Sequence, residues 1–404
     1  MLNGQQYSGT PKRKNQKILY LQYSNPGCYP PLEHSSRMLA DSGWQVVFLG
    51  IGSWGAGADS LRFPQHQNIS FRRLAFCRAR WLRKIHYAAF CLWVCAWVLA
   101  WRPSWVYASD PLACPAASLL CWNSTLRFVY HEHDSPEYMS ELQNWFQRLV
   151  LWARSRLAAR AEFCILPNQR RAEDFKAEIP AVRQVLCVWN CPSRAELPAL
   201  RRASNEGEFW VLYHGSLVPA RLPQTVLHAM RELPPQIKLR VIGYETVGSP
   251  TFLTDLTAAA LELGLSNRLD IVGALPLRSQ MLEYSQNCSV GLSLVPTCSR
   301  DRNERTMSGA SNKAFDYLAC GLALLVSDLP DWRSMFVEPG YGLQCVPEHP
   351  DSIATALRRF FENPEQTRTM GERGRSRVAS EWNYETQFGP VIKLMRETNR
   401  GDKD

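Results

Sequence analysis

Between Thr306 and Asp328 a polar, small-residue loop runs into a short amphipathic helix, the helix stops at Gly321, and an apolar strand, Leu324 to Ser327, follows at once. That order is one unit of an α/β chain. It places Ser308 to Lys313 at a helix N-terminus, where free backbone N–H groups and the positive end of the helix dipole favour an anion. Asp316 falls one turn further in, within reach of hydroxyls on whatever the anion carries. A phosphate beside a polyol describes a nucleotide sugar.

The same alternation recurs along the chain. Lys17 to Tyr23 reads as a buried strand, Asn25-Pro26-Gly27 breaks it, a helix with a Leu32, Ser36, Leu39 face follows, and Gln45 to Gly50 is the next strand. This is the opening of a doubly wound parallel sheet, which binds ligands at the loops beyond its strand ends. Further strands are expected at Trp105 to Ser109, Arg127 to His131, Phe163 to Pro167 and Val185 to Trp189, giving six in a first domain over 17–194. Residues 195–208 are polar and aperiodic and read as a linker. A second series, 209–378, begins at Phe209 to His214 and continues through Leu239 to Gly243, Leu269 to Val272, Val290 to Val295, Leu324 to Ser327 and an edge candidate, Gly342 to Val346. Helices are expected at Ser352 to Phe361 and Glu365 to Arg377, and a last one from Trp382-Asn383-Tyr384 to about Arg396 within a segment 379–404. Residues 1–16 read as a disordered polar leader that lacks the apolar core of a secretory signal.

A chain of 404 residues with 46% apolar content suits two ordinary domains with real cores. Its net charge of +9 is unevenly placed: Ser60 to Ser109 holds eight Lys or Arg and no acid, and eleven of the fourteen tryptophans precede residue 190. The basic, aromatic half suits an anionic lipid or acceptor surface. Thirteen unpatterned cysteines read as free buried thiols, and Cys187 and Cys191 lack the second pair a structural zinc site needs. The strongest apolar run, Tyr87 to Trp101, falls short of the roughly 20 residues of a spanning helix, so no transmembrane segment is expected.

Lys-Ala-Phe-Asp-Tyr-Leu-Ala-Cys-Gly at 313–321, followed by an apolar strand and Ser-Asp, resembles the donor-site helix of the GT-B glycosyltransferases, above all the retaining family 4. The resemblance is fullest over about 205–385 and rests on strand order and short motifs before that. It implies two Rossmann-like domains facing across a cleft, with a C-terminal helix crossing back to the first domain, an α/β GT-B fold. The family carries two glutamates eight positions apart; the second falls on Asp316, which implies ribose binding, and the first on Ser308, which departs from the pattern. Tyr213-His214-Gly215-Ser216-Leu217 and Arg221 resemble the loop whose two cations steady the leaving diphosphate. Arg221 matches one cation, Ser216 stands in place of the other, and Lys313 is the candidate for the missing charge. Ser311 and Asn312 would offer N–H groups to phosphate. Gly243 and Gly273 match loops beside the base, Gly27 matches a loop near the acceptor or the donor phosphate, and Trp382 fits an aromatic common near the crossing helix.

His131-Glu132-His133-Asp134, with Glu137 nearby, ends a parallel strand where open sheets place ligands. His131 is expected at the reacting sugar, and His133 and Asp134 on the acceptor side; a divalent metal and helix capping by Asp134 are the alternative readings. Phe71 to Trp101 carries Arg72, Arg73, Arg78, Arg80, Arg83 and Lys84 and then an apolar run. It reads either as an amphipathic helix packed in the core or as a contact with anionic membrane, and it matches no nucleic-acid module. Ser299 to Glu304 reads as a lid or as solvated surface.

The expected activity is sugar transfer from a nucleotide diphosphate sugar to a hydroxyl of a glycan or lipid-linked acceptor, retaining, with no bound metal or cofactor. The expected place is the cytoplasm, peripheral to the inner membrane face, in polysaccharide or lipid-linked glycan synthesis. The alternatives are an epimerase or hydrolase of the same fold, or a non-catalytic scaffold.

Overall fold

The computed structural model describes residues 16–136, 144–199 and 207–399. Nearly all of the expected leader, Glu137, the middle of the expected linker and the last residues of the tail lie outside them.

The first sheet has seven parallel strands, β1 Lys17–Gln22, β2 Gln45–Ile51, β3 Ile69–Leu74, β4 Trp105–Ser109, β5 Arg127–His131, β6 Phe163–Leu166 and β7 Val185–Cys187, in the order β3-β2-β1-β4-β5-β6-β7. Alternate residues feed two cores. Trp105 and Tyr107 pack on one face with Ile18, Tyr20 and Phe48, while Val106 and Ala108 pack on the other with Leu19, Leu21 and Leu49. Strand β3 is the one the sequence reading missed. It is an edge strand that is nowhere fully buried, and the adjacent exposed pair Arg72 and Arg73 hides its alternation.

The helix after β3 therefore starts at Arg83, not at Phe71, and runs 19 residues to Trp101. By length and composition it could cross a membrane, with mean hydropathy 1.4 over its best window. That corrects the shorter apolar run on which the absence of a spanning segment was argued. Yet Tyr87, Phe90, Cys91, Val94 and Val98 form one stripe packed into the domain core, so the helix lies along the protein.

The second sheet has six parallel strands, β8 Phe209–Leu217, β9 Ile237–Glu245, β10 Leu269–Gly273, β11 Val290–Ser293, β12 Ala323–Ser327 and β13 Gly342–Cys345, in the order β10-β9-β8-β11-β12-β13. All six were legible in sequence, with β13 at the edge. In each sheet the strand order reverses beside the first strand, between β1 and β4 and between β8 and β11. Crevices open at such reversals, beyond the carboxyl ends of the strands, and here the two crevices face each other.

The last helix, Tyr384–Thr398, buries Tyr384, Phe388, Val391, Ile392 and Met395 against the first sheet's core, as the resemblance implied. Trp382, just before it, packs with Phe315 and Phe336 of the second domain and with Trp189 of the first. The charged 299–304 loop packs between the domains. It carries a short helix, Arg302–Arg305, that docks on the first domain. Asn303 exchanges two hydrogen bonds with the Ser135 backbone, Arg171 donates to Asn303 O and Thr306 Oγ1, and Arg302 pairs with Asp174 and Glu178.

Candidate active site

A cleft of about 340 Å³ lies between the two crevices. The second domain supplies Gly215, Ser216, Arg221, Gly243, Tyr244, Arg278, Ser311, Asn312 and Lys313, and the first supplies Gly27, Tyr29, Arg62, His133, Asp134 and Asn190.

The helix Asn312–Ala319 points its N-terminus into the cleft, and its N-cap, Ser311, makes no side-chain capping bond. The first-turn N–H groups are thus left for an anion. Lys313, 9% exposed, folds back over the end of β8. A Cβ on Gly215 would sit 3.1 Å from Lys313 Nζ, and Gly215 has φ of +111°, a backbone region open to glycine. Burial lowers the Lys313 amine to about 7, and the nearby charge of Arg221 adds to that. Arg221 is partly buried and donates to the Met307 sulfur at 3.5 Å. Two cations and a helix N-terminus converge on the cleft, with the Asp134 carboxylate close enough to Arg221 to feel its charge.

Asp316 is not on the wall. Arg278 Nη1 donates to Asp316 Oδ2 at 2.9 Å, Arg278 Nη2 donates to Oδ1, and Asn312 Nδ2 donates to Oδ2 at 2.7 Å. Aspartate is one methylene shorter than the family's glutamate, and its carboxylate is taken up by these partners, so Arg278 and Asn312 face the cleft in its place. Arg278 Nε also donates to Glu196 Oε1 at 2.7 Å, and Glu196 Oε2 lies 2.8 Å from His34 Nε2. Burial alone would lower the Arg278 guanidinium, but Asp316 and Glu196 hold it well above its usual range. Burial would likewise raise Glu196, but Arg278 and His34 bring it well below the carboxylate range. A buried chain His34–Glu196–Arg278–Asp316 therefore joins the first domain to the donor helix.

The His131–Asp134 run divides by strand alternation. Glu132 turns into the domain, where Arg154 donates to both of its oxygens and Tyr130 donates at 2.6 Å. The four side chains thus do not converge, and no cluster of three or more potential metal ligands occurs among the described residues. His131 is fully buried behind the wall, its Nδ1 2.6 Å from Tyr107 Oη and its ring 3.9 Å from that of His133. His131 does not line the cleft and His133 does, because the parallel sheet ends at His131 and the chain only then turns into the cleft. Among the described residues neither ring nitrogen of His133 has a partner, and burial lowers its imidazole to about 4. Asp134 meets cleft solvent but lies deep between the domains; that enclosure, with Asp110 beside it, raises its carboxyl. Asp110, at φ of +66°, accepts from the His133 and Asp134 backbone N–H groups and fixes the turn.

Gly27 and Gly243 are wall residues, and a Cβ on Gly243 would lie 2.0 Å from Gly215 O. Gly273, at φ of +81°, sits behind the wall, which Ala274, Leu275 and Pro276 form. Ser308 lies outside the wall, whereas Met307 and Ala310 are on it. Sequence reasoning missed Arg278, Glu196, His34 and Asn190. Only Glu196 left a signal, the capping-box spacing Ser193 to Glu196. Asn190 ties the first domain to the donor loop, its N–H donating to Gly309 O at 2.8 Å and its amide to Ala310 O at 2.5 Å.

Residues 200–377 match the family described as glycosyl transferases group 1, and residues 31–191 match the glycosyl transferase 4-like domain, so the two matches take in most of both domains. No curated protein matches the chain in sequence. Solved structures match over nearly the whole length. The sucrose-phosphate synthase of Thermosynechococcus elongatus is 16% identical with TM-score 0.71, covering 96% of this chain and 100% of that one. HepE from Anabaena, in complex with UDP-glucose, is 16% identical with TM-score 0.67, covering 95% and 100%. The α,α-trehalose-phosphate synthase (UDP-forming) of Burkholderia vietnamiensis is 11% identical with TM-score 0.65, covering 97% and 100%. At such identities the likeness shows the fold.

Proposed function

The chain belongs to the GT-B glycosyltransferases of the family 4 type and is a nucleotide-sugar glycosyltransferase; from that premise we propose that it moves a sugar to an acceptor hydroxyl with retention and without a bound metal. The observation that carries this reading is the convergence of Arg221, Lys313 and the uncapped helix N-terminus at Ser311 on one point of the cleft. Such an array stabilises the negative charge that develops on a departing diphosphate, the work a metal ion does elsewhere.

In the proposed step the bond between the anomeric carbon and the diphosphate oxygen breaks. The acceptor oxygen bonds the same carbon from the same face, and the acceptor proton passes to the departing diphosphate oxygen. His133 hydrogen-bonds the reacting sugar through its unpartnered ring, and Asp134 orients the acceptor hydroxyl. Arg278 and Asn312, held by Asp316, meet the ribose side. The acceptor is glycan or lipid-linked, and the enzyme works at the cytoplasmic face of a membrane in polysaccharide or lipid-linked glycan synthesis.

The test is slow hydrolysis of a panel of nucleotide sugars by the purified protein, beginning with UDP-glucose. Release of nucleoside diphosphate from one donor, reduced about 10²–10³-fold in Arg221→Ala, is expected. Absence of binding and turnover across the panel, with membrane extract also inactive as acceptor, sinks the reading.

A further inference from the structure

Ten of the thirteen large apolar side chains exposed among the described residues fall between Trp81 and Trp152, in the first domain. Six of them line a groove of about 580 Å³ between the helices Arg83–Trp101 and Trp145–Arg160. Its walls include Leu92, Leu119, Trp122, Trp145, Leu149 and Trp152, and Trp122 is 72% exposed.

The helix Arg83–Trp101 is apolar on both sides. One stripe feeds the core, and the opposite stripe of Ile85, Ala88, Ala89, Leu92, Ala96 and Leu99 faces solvent. A surface helix in water normally carries charge on that side, and apolar patches of this kind mark binding faces. The charges that are present all have one sign. Neither helix contains an acidic residue, and Arg83, Lys84, Arg148 and Arg156 are exposed. Lys84 Nζ lies 4.8 Å from the Trp145 ring across the groove, and the Arg156 guanidinium lies 5.4 Å from the Trp152 ring. Indole rings and cations rimming an apolar surface match the layered chemistry of a bilayer interface.

The groove lies at the cleft end of the domain. The helix Arg83–Trp101 begins on the side where β1 ends, and Tyr23, just past β1, hydrogen-bonds His86 Nδ1 through its hydroxyl at 2.9 Å.

We propose that this groove docks on the leaflet of an anionic phospholipid bilayer, taking acyl chain between its tryptophans while Lys84, Arg148 and Arg156 meet the headgroup phosphates. The docking stands on the surface alone. Only its consequence rests on the transferase reading: the cleft then opens beside the leaflet, so its acceptor is one borne in that leaflet.

The test is cosedimentation of the full chain with phosphatidylcholine vesicles with and without phosphatidylglycerol. The wild type should pellet with the anionic vesicles, less so in high salt. Trp122→Ser with Trp152→Ser should weaken binding roughly tenfold per tryptophan, and Lys84→Glu with Arg156→Glu should abolish the preference for anionic lipid. All four side chains are exposed, so thermal melting and donor hydrolysis in solution should be unchanged. No pelleting of the wild type, or pelleting equal in the variants, overturns the proposal. So does a dimer in solution that the tryptophan variants dissolve, because a second copy then covers the groove. Vesicle binding lost in the variants supports it, even if donor hydrolysis fails in every protein and the transferase reading falls.

Discussion

Arg278 grips Asp316 through both terminal nitrogens and holds Glu196 through its third, so one side chain ties the donor helix to the segment that leaves the first domain. Both carboxylates are largely buried, at 14% and 1% side-chain exposure.

Arg278→Ala leaves two buried carboxylates without their cation. Removing one partner of a buried ion pair costs about 3–5 kcal/mol, and denaturant unfolding should show a loss of that order. Adding Asp316→Asn and Glu196→Gln to Arg278→Ala should recover part of it, since the unpaired charges are then gone. A loss under about 1 kcal/mol would mean the chain carries no structural weight.

Lys313 gives the pH dependence. Its amine is lowered to about 7, first by burial and then by Arg221, so it is charged below that pH and neutral above it. A diphosphate favours the charged form. Affinity for the nucleoside diphosphate of the active donor should therefore fall roughly tenfold from about pH 6 to about pH 8, with proton uptake on binding near pH 7. Calorimetry in buffers of different ionisation enthalpy measures both. Lys313→Met should abolish the pH dependence along with most of the affinity.

His133 and His131 should separate by kinetics. His133→Ala removes the unpartnered ring from the cleft wall and should lower kcat about 10²-fold or more while donor affinity changes little. His131→Phe removes a buried bond to Tyr107 Oη and should act on stability first, lowering Tm by several degrees. The reverse pattern in steady-state kinetics and melting would return the role to His131.

Phe388 belongs to the C-terminal helix in sequence and to the first domain's core in space. Phe388→Ala should cost about 3–5 kcal/mol. Hydrogen exchange should rise first in strands β1 and β4, not in the second sheet that precedes this helix along the chain.

Strands β11 and β12 were legible because they are buried on both faces and read as short unbroken apolar runs, and β9 because buried Ile237, Leu239 and Val241 alternate with partly exposed Lys238 and Arg240. The edge strand β3 was not, because exposed Arg72 and Arg73 break the period that marks a strand. Within the site, the donor-helix N-terminus followed from local order, since a helix start fixes its neighbours, while Gly27, Gly243, Arg221 and Lys313 came from the resemblance to the family's loops. That His133 and not His131 lines the cleft was not legible, because alternation alone does not say at which residue a strand ends.

What the sequence by itself determined, then, is whatever depends on near neighbours: the strand–loop–helix units, the helix N-terminus at Ser311, the cations beside it and the apolar character of the helix that follows β3. Only the tertiary structure decided that Asp316 faces Arg278, that Glu196 and His34 complete their chain, that His133 stands in front of His131, and that two helices more than forty residues apart enclose one apolar groove. Those pairings join residues far apart along the chain, and no local propensity encodes a contact that exists only once both sheets are packed.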